Sequence, residues 1–144
     1  MRAIARSAAL ALVVAALARA DAHDDVMEVL TKMAAALTEV NVPGFMAGVS
    51  KDLPQYDTLR NDVTALVNEA EISSSVQPVM EQAGDQTYKI DLDWVLEIRS
   101  LEQDGPIVRR REVIHCELRK EKAHWKIVAL QPLDFFAAAN LGGK

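Results

Sequence analysis

From Tyr88 to Arg99 the chain alternates cleanly, with Tyr88, Ile90, Leu92, Trp94, Leu96 and Ile98 set against Lys89, Asp91, Asp93, Val95, Glu97 and Arg99. Successive side chains of a strand point to opposite faces, so this is a long strand with one dry face. Before it, Ile72, Ser74, Val76, Pro78 and Met80 share one face of a strand, and Glu71, Ser73, Ser75, Gln77 and Val79 share the other. Pro78 has no N–H to donate, which predicts an edge position or a bulge. After it, a turn at Asp104-Gly105-Pro106 leads into a strand from Ile107 to Glu121. Ile114, Cys116 and Leu118 face one way there, and Val113, His115 and Glu117 the other. A last strand, Ala123 to Gln131, sets Trp125, Ile127 and Ala129 against Lys126, Val128 and Leu130.

Upstream of Ala70 the period is that of a helix. His23 to Asn41 carries Val26, Val29/Leu30, Met33, Leu37 and Val40 on one stripe, with Asp24 or Asp25 placed to cap it. Asn41, Val42, Pro43 and Gly44 break that helix, and Phe45, Met46 and Val49 fit one short helical turn. A second helix runs from about Tyr56 to Glu69, burying Tyr56, Leu59, Val63, Leu66/Val67 and Ala70. Helices followed by a four-strand meander predict an α+β domain, with N-terminal helices packed on one face of a curved antiparallel sheet. Strands this long must coil, and a coiled sheet lined by helices encloses a cone.

With 144 residues, half of them hydrophobic, the chain holds one domain with a real core. One cysteine excludes an intramolecular disulfide framework. The first 22 residues stand apart. Arg2 and Arg6 precede 12 uncharged residues, Ser7 to Ala18, and small residues flank possible cuts after Ala20 and Ala22. This is the layout of a secretory signal, so residues 1–22 are read as a leader, 23–136 as the domain and 137–144 as a flexible tail. The implied location is periplasmic or secreted. Arg19 ends the apolar run well short of the roughly 20 residues a spanning helix needs, so no stable membrane insertion is expected.

The net charge is −5, and −7 without the leader. Residues 23–98 hold 4 basic and 14 acidic groups, whereas 99–126 hold 8 basic and 5 acidic. Nucleic acid needs a broad basic face, which this balance does not provide.

The order of elements resembles the NTF2-like (SnoaL-like, cystatin-like) α+β cone over about residues 23–136. His124-Trp125-Lys126-Ile127-Val128 followed by Leu133-Asp134-Phe135-Phe136 resembles the last strand and tail of such domains, and Phe45-Met46 their short second helix. The likeness extends to exported bacterial members of that superfamily. The resemblance implies a pocket inside the cone. It leaves function open, because the superfamily includes isomerases, dehydratases, hydrolases, ligand carriers and non-catalytic assembly domains.

Its catalytic members commonly use an Asp, His or Tyr inside the cone. Asp93, with Asp91 and Glu97 on the same strand face, is one candidate base, provided that face points inward. The ordinary reading is a solvated face paired with Arg109, Arg111 or Arg119. His115 and Glu117 lie two apart and form a second candidate for acid–base work, or else an exposed strand pair. Tyr56, Tyr88 and Trp94 are candidate ligand contacts that equally fit their apolar stripes. Arg109-Arg110-Arg111 reads as an anion contact, or as a solvated strand end paired with Asp93, Glu97 and Glu112.

No metal-ligand spacing, nucleotide-binding glycine motif or nucleophile motif occurs, and no cofactor is expected. Cys116 fits as a small core residue. Val79, Val95, Val113, Val128 and Leu130 give the outer sheet face apolar area for a homodimer. The expected function is a small apolar ligand bound in the cone, with a cone enzyme or an interaction module as alternatives. A cone filled by Trp94, Phe45 and Phe136 would favour the interaction role.

Overall fold

A computed structural model describes residues 2–139 and 141, with side chains from Ala20 onward. Four strands, β1 (Ala70–Ala83), β2 (Thr87–Ser100), β3 (Ile107–Glu121) and β4 (His124–Gln131), form one antiparallel sheet in the order β1-β2-β3-β4. Helices α1 (Arg2–Thr38), α2 (Val42–Met46) and α3 (Tyr56–Glu69) and a closing 3-10 turn (Leu133–Phe136) accompany it. Every member of the Tyr88–Ile98 stripe is buried, and so are Ile114, Cys116 and Leu118. They meet Val26, Leu30, Met33 and Leu37 of α1 and Leu59, Val63, Leu66 and Val67 of α3 in one core. The expected α+β cone is the observed one.

Two bulges correct the strand reading. Pro78 pairs with Leu92 but Met80 pairs with Asp91, so one extra residue, Val79, enters β1. Both expectations for Pro78 hold, since β1 is also an edge strand. An extra residue inverts which side chains point inward beyond it. Met80 therefore leaves the core face it was expected to share with Ile72, and Glu81, opposite Ile90, turns inward. In β4, Leu118 pairs with Ile127 and Glu117 with Ala129, which makes Val128 the extra residue. Leu130 is consequently buried opposite Cys116, not exposed on the outer face, and Ala129 takes the outer position.

The helices differ from expectation at their ends. The backbone of α1 is helical from Arg2, so Asp24 and Asp25 lie within it and do not cap it. The side chains of residues 2–19, most of the expected leader, lie outside the described residues. At the other end Val40 adopts a left-handed φ of 57° and is 54% exposed, so it leaves the apolar stripe. Its turn lets the Asn41 N–H reach back to the Ala36 carbonyl at 2.9 Å, closing the helix.

The expected break between the first two helices is present but falls at residues 39–41, and Pro43 and Gly44 lie inside α2, because proline is tolerated in a first turn whose N–H groups have no helical partner. The Asn41 side chain caps that turn by accepting from the Gly44 N–H at 3.0 Å. Of the expected tail, Ala139 and Leu141 pack against the core, while residues 140 and 142–144 lie outside the described residues.

Past α2, the chain from Gly48 to Ser50 runs beside β4. Ser50 N–H donates to the Ile127 carbonyl at 2.9 Å and Ile127 N–H to the Gly48 carbonyl at 2.8 Å, a short parallel bridge. This contact fixes the loop that carries Lys51 and Asp52.

Candidate functional site

The interior of the cone is filled with rings. Phe136 packs edge-on against Trp94, Phe135 and Phe45 at centroid distances of 4.9, 5.1 and 5.4 Å, and Trp94 also meets Phe135 at 6.4 Å. All four rings are buried. Trp94 lies in the β2 stripe, Phe45 comes from α2, and the two C-terminal phenylalanines fold back beneath α3. The Trp94 indole N–H donates to Ser74 Oγ at 2.8 Å, so its polar edge is spent within the protein. Ser50 is buried at the β4 edge, and the polar atoms of Tyr88 and Trp94 are likewise bonded within the protein.

The residues expected to do chemistry do not meet in that interior. Asp93 lies on the outer face of the sheet, where Arg111 grips it through two hydrogen bonds of 3.0 and 2.8 Å. This pairing is the one anticipated across the sheet, and it holds the Asp93 carboxyl below its ordinary range. His115, on the same face, bonds Asp91 through Nδ1 at 2.7 Å, not its strand neighbour Glu117. Both pairs are open to solvent.

Tyr88 is buried on the inner face. Its hydroxyl donates to Glu81 Oε1 at 2.7 Å, which His23 of α1 also bonds through Nδ1 at 2.5 Å. Burial first, then the Glu81 carboxylate, push the Tyr88 phenol well above its ordinary value. Tyr56 is half-buried at the start of α3, in the wall of a surface groove.

That groove, about 690 Å³, runs along the β4 edge. Val42, Pro43, Met46 and Val49 form an apolar wall, and Lys51, Arg60, Arg119 and Lys126 bring four cations against Asp52 and Glu121. The floor is a closed polar network. Ser50 Oγ accepts from the Asp52 N–H at 3.1 Å and donates to Glu121 Oε2 at 2.7 Å. Arg119 bonds the same Glu121 oxygen at 2.5 Å and Asp52 at 2.8 Å. The Ser50 hydroxyl and then Arg119 lower the Glu121 carboxyl, and Asp52 followed by Glu121 raises the Arg119 guanidinium. Both acids are thereby committed to the protein. Lys126 donates to the Ala47 carbonyl.

Sequence reasoning missed two features. The groove joins residues 67 to 71 positions apart through the Asp52–Arg119 and Ser50–Glu121 bonds, and no local pattern signals such pairs. Arg110, read with its neighbours as a solvated strand end, lies opposite Leu96 on the inner face. It donates to the carbonyls of Phe135 and Ala137 at 2.7 and 2.6 Å, pinning the C-terminal turn. Strand alternation did separate Arg110 from Arg109 and Arg111, so the signal for its direction was present.

No family model matches the chain, and no curated protein matches it either. Solved structures do. A scytalone dehydratase-like protein from Novosphingobium aromaticivorans superposes with a TM-score of 0.70 at 9% identity, covering 78% of this chain and 83% of its own. A hexachlorocyclohexane dehydrochlorinase gives 0.64 at 11%, covering 79% and 85%. A cystatin-like protein from Nostoc punctiforme gives 0.57 at 14%, covering 74% and 85%.

The fold is the NTF2-like α+β cone. At such identities the likeness is one of architecture, and an NTF2-like cone houses enzymes as readily as proteins without a known activity. In this chain the interior of the cone is packed with aromatic rings.

Proposed function

We propose that this chain is a non-catalytic pairing module whose outer sheet face docks a second copy. The filled interior carries the reading. A cone enzyme needs an acid or base beside a space for substrate, and the rings of Phe45, Trp94, Phe135 and Phe136 occupy that space. An apolar ligand seated there would have to displace them.

The outer face supports the choice of partner. β2 presents Asp91, Asp93 and Glu97, while β3 beside it presents Arg109, Arg111 and His115, with Val95 and Val113 between the charges. A two-fold axis along the strands, midway between β2 and β3, lays the acidic row of each copy on the basic row of the other. An axis across the strands would oppose acid to acid. Met80 and Ala129, brought outward by the bulges, replace Leu130 in the expected apolar set.

Export belongs to the same proposal. Arg2, Arg6, the apolar run and the small residues before His23 support it. No helix among the described residues is long and apolar enough to cross a membrane.

The test is native mass spectrometry with light scattering over a concentration series, on the full chain and on Val113→Glu. Twice the monomer mass for the parent and a folded monomer for the variant support the reading. A parent that stays monomeric at high micromolar concentration overturns it.

A further inference from the structure

We infer that the groove on the β4 edge is a binding site for a small organic monocarboxylate, with its head at Lys51, Tyr56 and Arg60 and its apolar body along α2. A second hollow, about 560 Å³, adjoins the groove and shares those three residues with it. The junction of the two hollows is thus walled by an ammonium, a phenol and a guanidinium carried on two successive elements, the loop after α2 and the first turns of α3.

The charge account selects an anion. Four cations line the groove against two carboxylates, and both carboxylates are bound by Arg119, with Glu121 also held by Ser50. Lys51 is exposed and forms no ion pair among the described residues. Arg60 is shared with Asp57, a third carboxylate that lines the second hollow, in an exposed pair at 3.2 Å that an incoming carboxylate would displace. A carboxylate arriving there meets charge-assisted donors without first breaking the network on the groove floor.

The wall selects an apolar body. Val42, Pro43, Met46 and Val49 offer a continuous hydrocarbon surface that inorganic phosphate would leave unused. Pockets of a few hundred Å³ with apolar walls and a few convergent polar groups are the usual form of small-molecule sites. The backbone holds the two parts in register, because the parallel bridge to Ile127 fixes the loop and Asn41 caps α2.

The experiment titrates the full chain with octanoate, octanol and inorganic phosphate, read by calorimetry and by amide chemical shifts. The expected result is octanoate binding that moves amides of residues 42–60 and 119–126. Octanol and phosphate should each bind about tenfold more weakly or worse, since each lacks one half of the recognition. Lys51→Ala with Arg60→Ala should weaken octanoate about tenfold with an unchanged circular dichroism spectrum. Lys51→Glu alone, a change at one exposed position, provides a second variant with the same direction.

Equal binding of octanol and octanoate, phosphate matching octanoate, shifts confined to the core residues Leu92, Trp94 and Phe136, or no binding at millimolar octanoate would each overturn the assignment. Lys51 and Arg60 lie off the β2 and β3 rows, so failure here leaves the pairing reading standing, and failure of pairing leaves this one.

Discussion

Replacing Phe136 by alanine tests the filled cone most directly. The ring is fully buried and sits within 5.4 Å, centroid to centroid, of three other rings. Phe→Ala in a packed core costs about 3–5 kcal/mol, and edge-to-face partners add about 0.5–1.5 kcal/mol each beyond burial, which places this site in the upper part of that range. A loss of about 4 kcal/mol is a large share of the 5–15 kcal/mol that about holds such domains together. At a urea slope of about 2 kcal/mol per molar, the midpoint should fall by about 2 M. The hole left behind is lined by Phe45, Trp94 and Phe135, so the variant should take up benzene and recover part of its melting temperature, while the parent gains nothing. Urea melts of both proteins, with and without benzene, decide the matter. A loss below about 1 kcal/mol, or a parent stabilised by benzene as much as the variant, would refute the packing argument and reopen the interior to ligands.

Val40 holds a left-handed conformation that costs a β-branched residue about 1–2 kcal/mol, and its exposed side chain returns little, so Val40→Gly should raise stability by about 0.5–1 kcal/mol in a thermal melt. Arg110→Ala removes two charged hydrogen bonds from the C-terminal turn. It should cost about 1–3 kcal/mol and speed amide exchange at residues 135–137 ahead of the rest of the chain. Burial pushes the Cys116 thiol up to about 12, so a thiol reagent at pH 8 should label it only after unfolding. Because the folded thiol ionises later than the unfolded one, its contribution is complete below about pH 8.5 and is lost as pH rises towards 12. Cys116→Ala should flatten that decline in unfolding free energy.

What was readable in the sequence followed from periodicity. Six side chains from Tyr88 to Ile98 alternate without a fault, and all six are in the core. Pro78 announced its bulge because a missing N–H has few places to go in a sheet. Val128 announced nothing. It is an ordinary strand residue, and only the pairing with β3 makes it the extra one, so spacing alone puts Leu130 on the outer face. Val40 fits a helical stripe by spacing, but the helix ends at Thr38 and the chain turns to enter α2. Spacing points to Tyr56 but not to the groove around it, since Lys51, Arg119 and Lys126 meet it only after the loop docks on β4. Periodicity reports which face a residue is on, and pairing between distant segments reports which residues share a site.

The short bridge between Val49 and Ile127 has a consequence for how the protein behaves in a crowd. A sheet with two bare edges is a template on which other chains can add strands. Here the loop occupies part of the β4 side, and on the other side β1 carries Pro78, the extra Val79 and the charges of Glu71 and Glu81. Growth by adding strands in the plane is discouraged at both ends. The proposed pairing through the broad face is isologous, so it would close on itself in a pair and not propagate into a fibre.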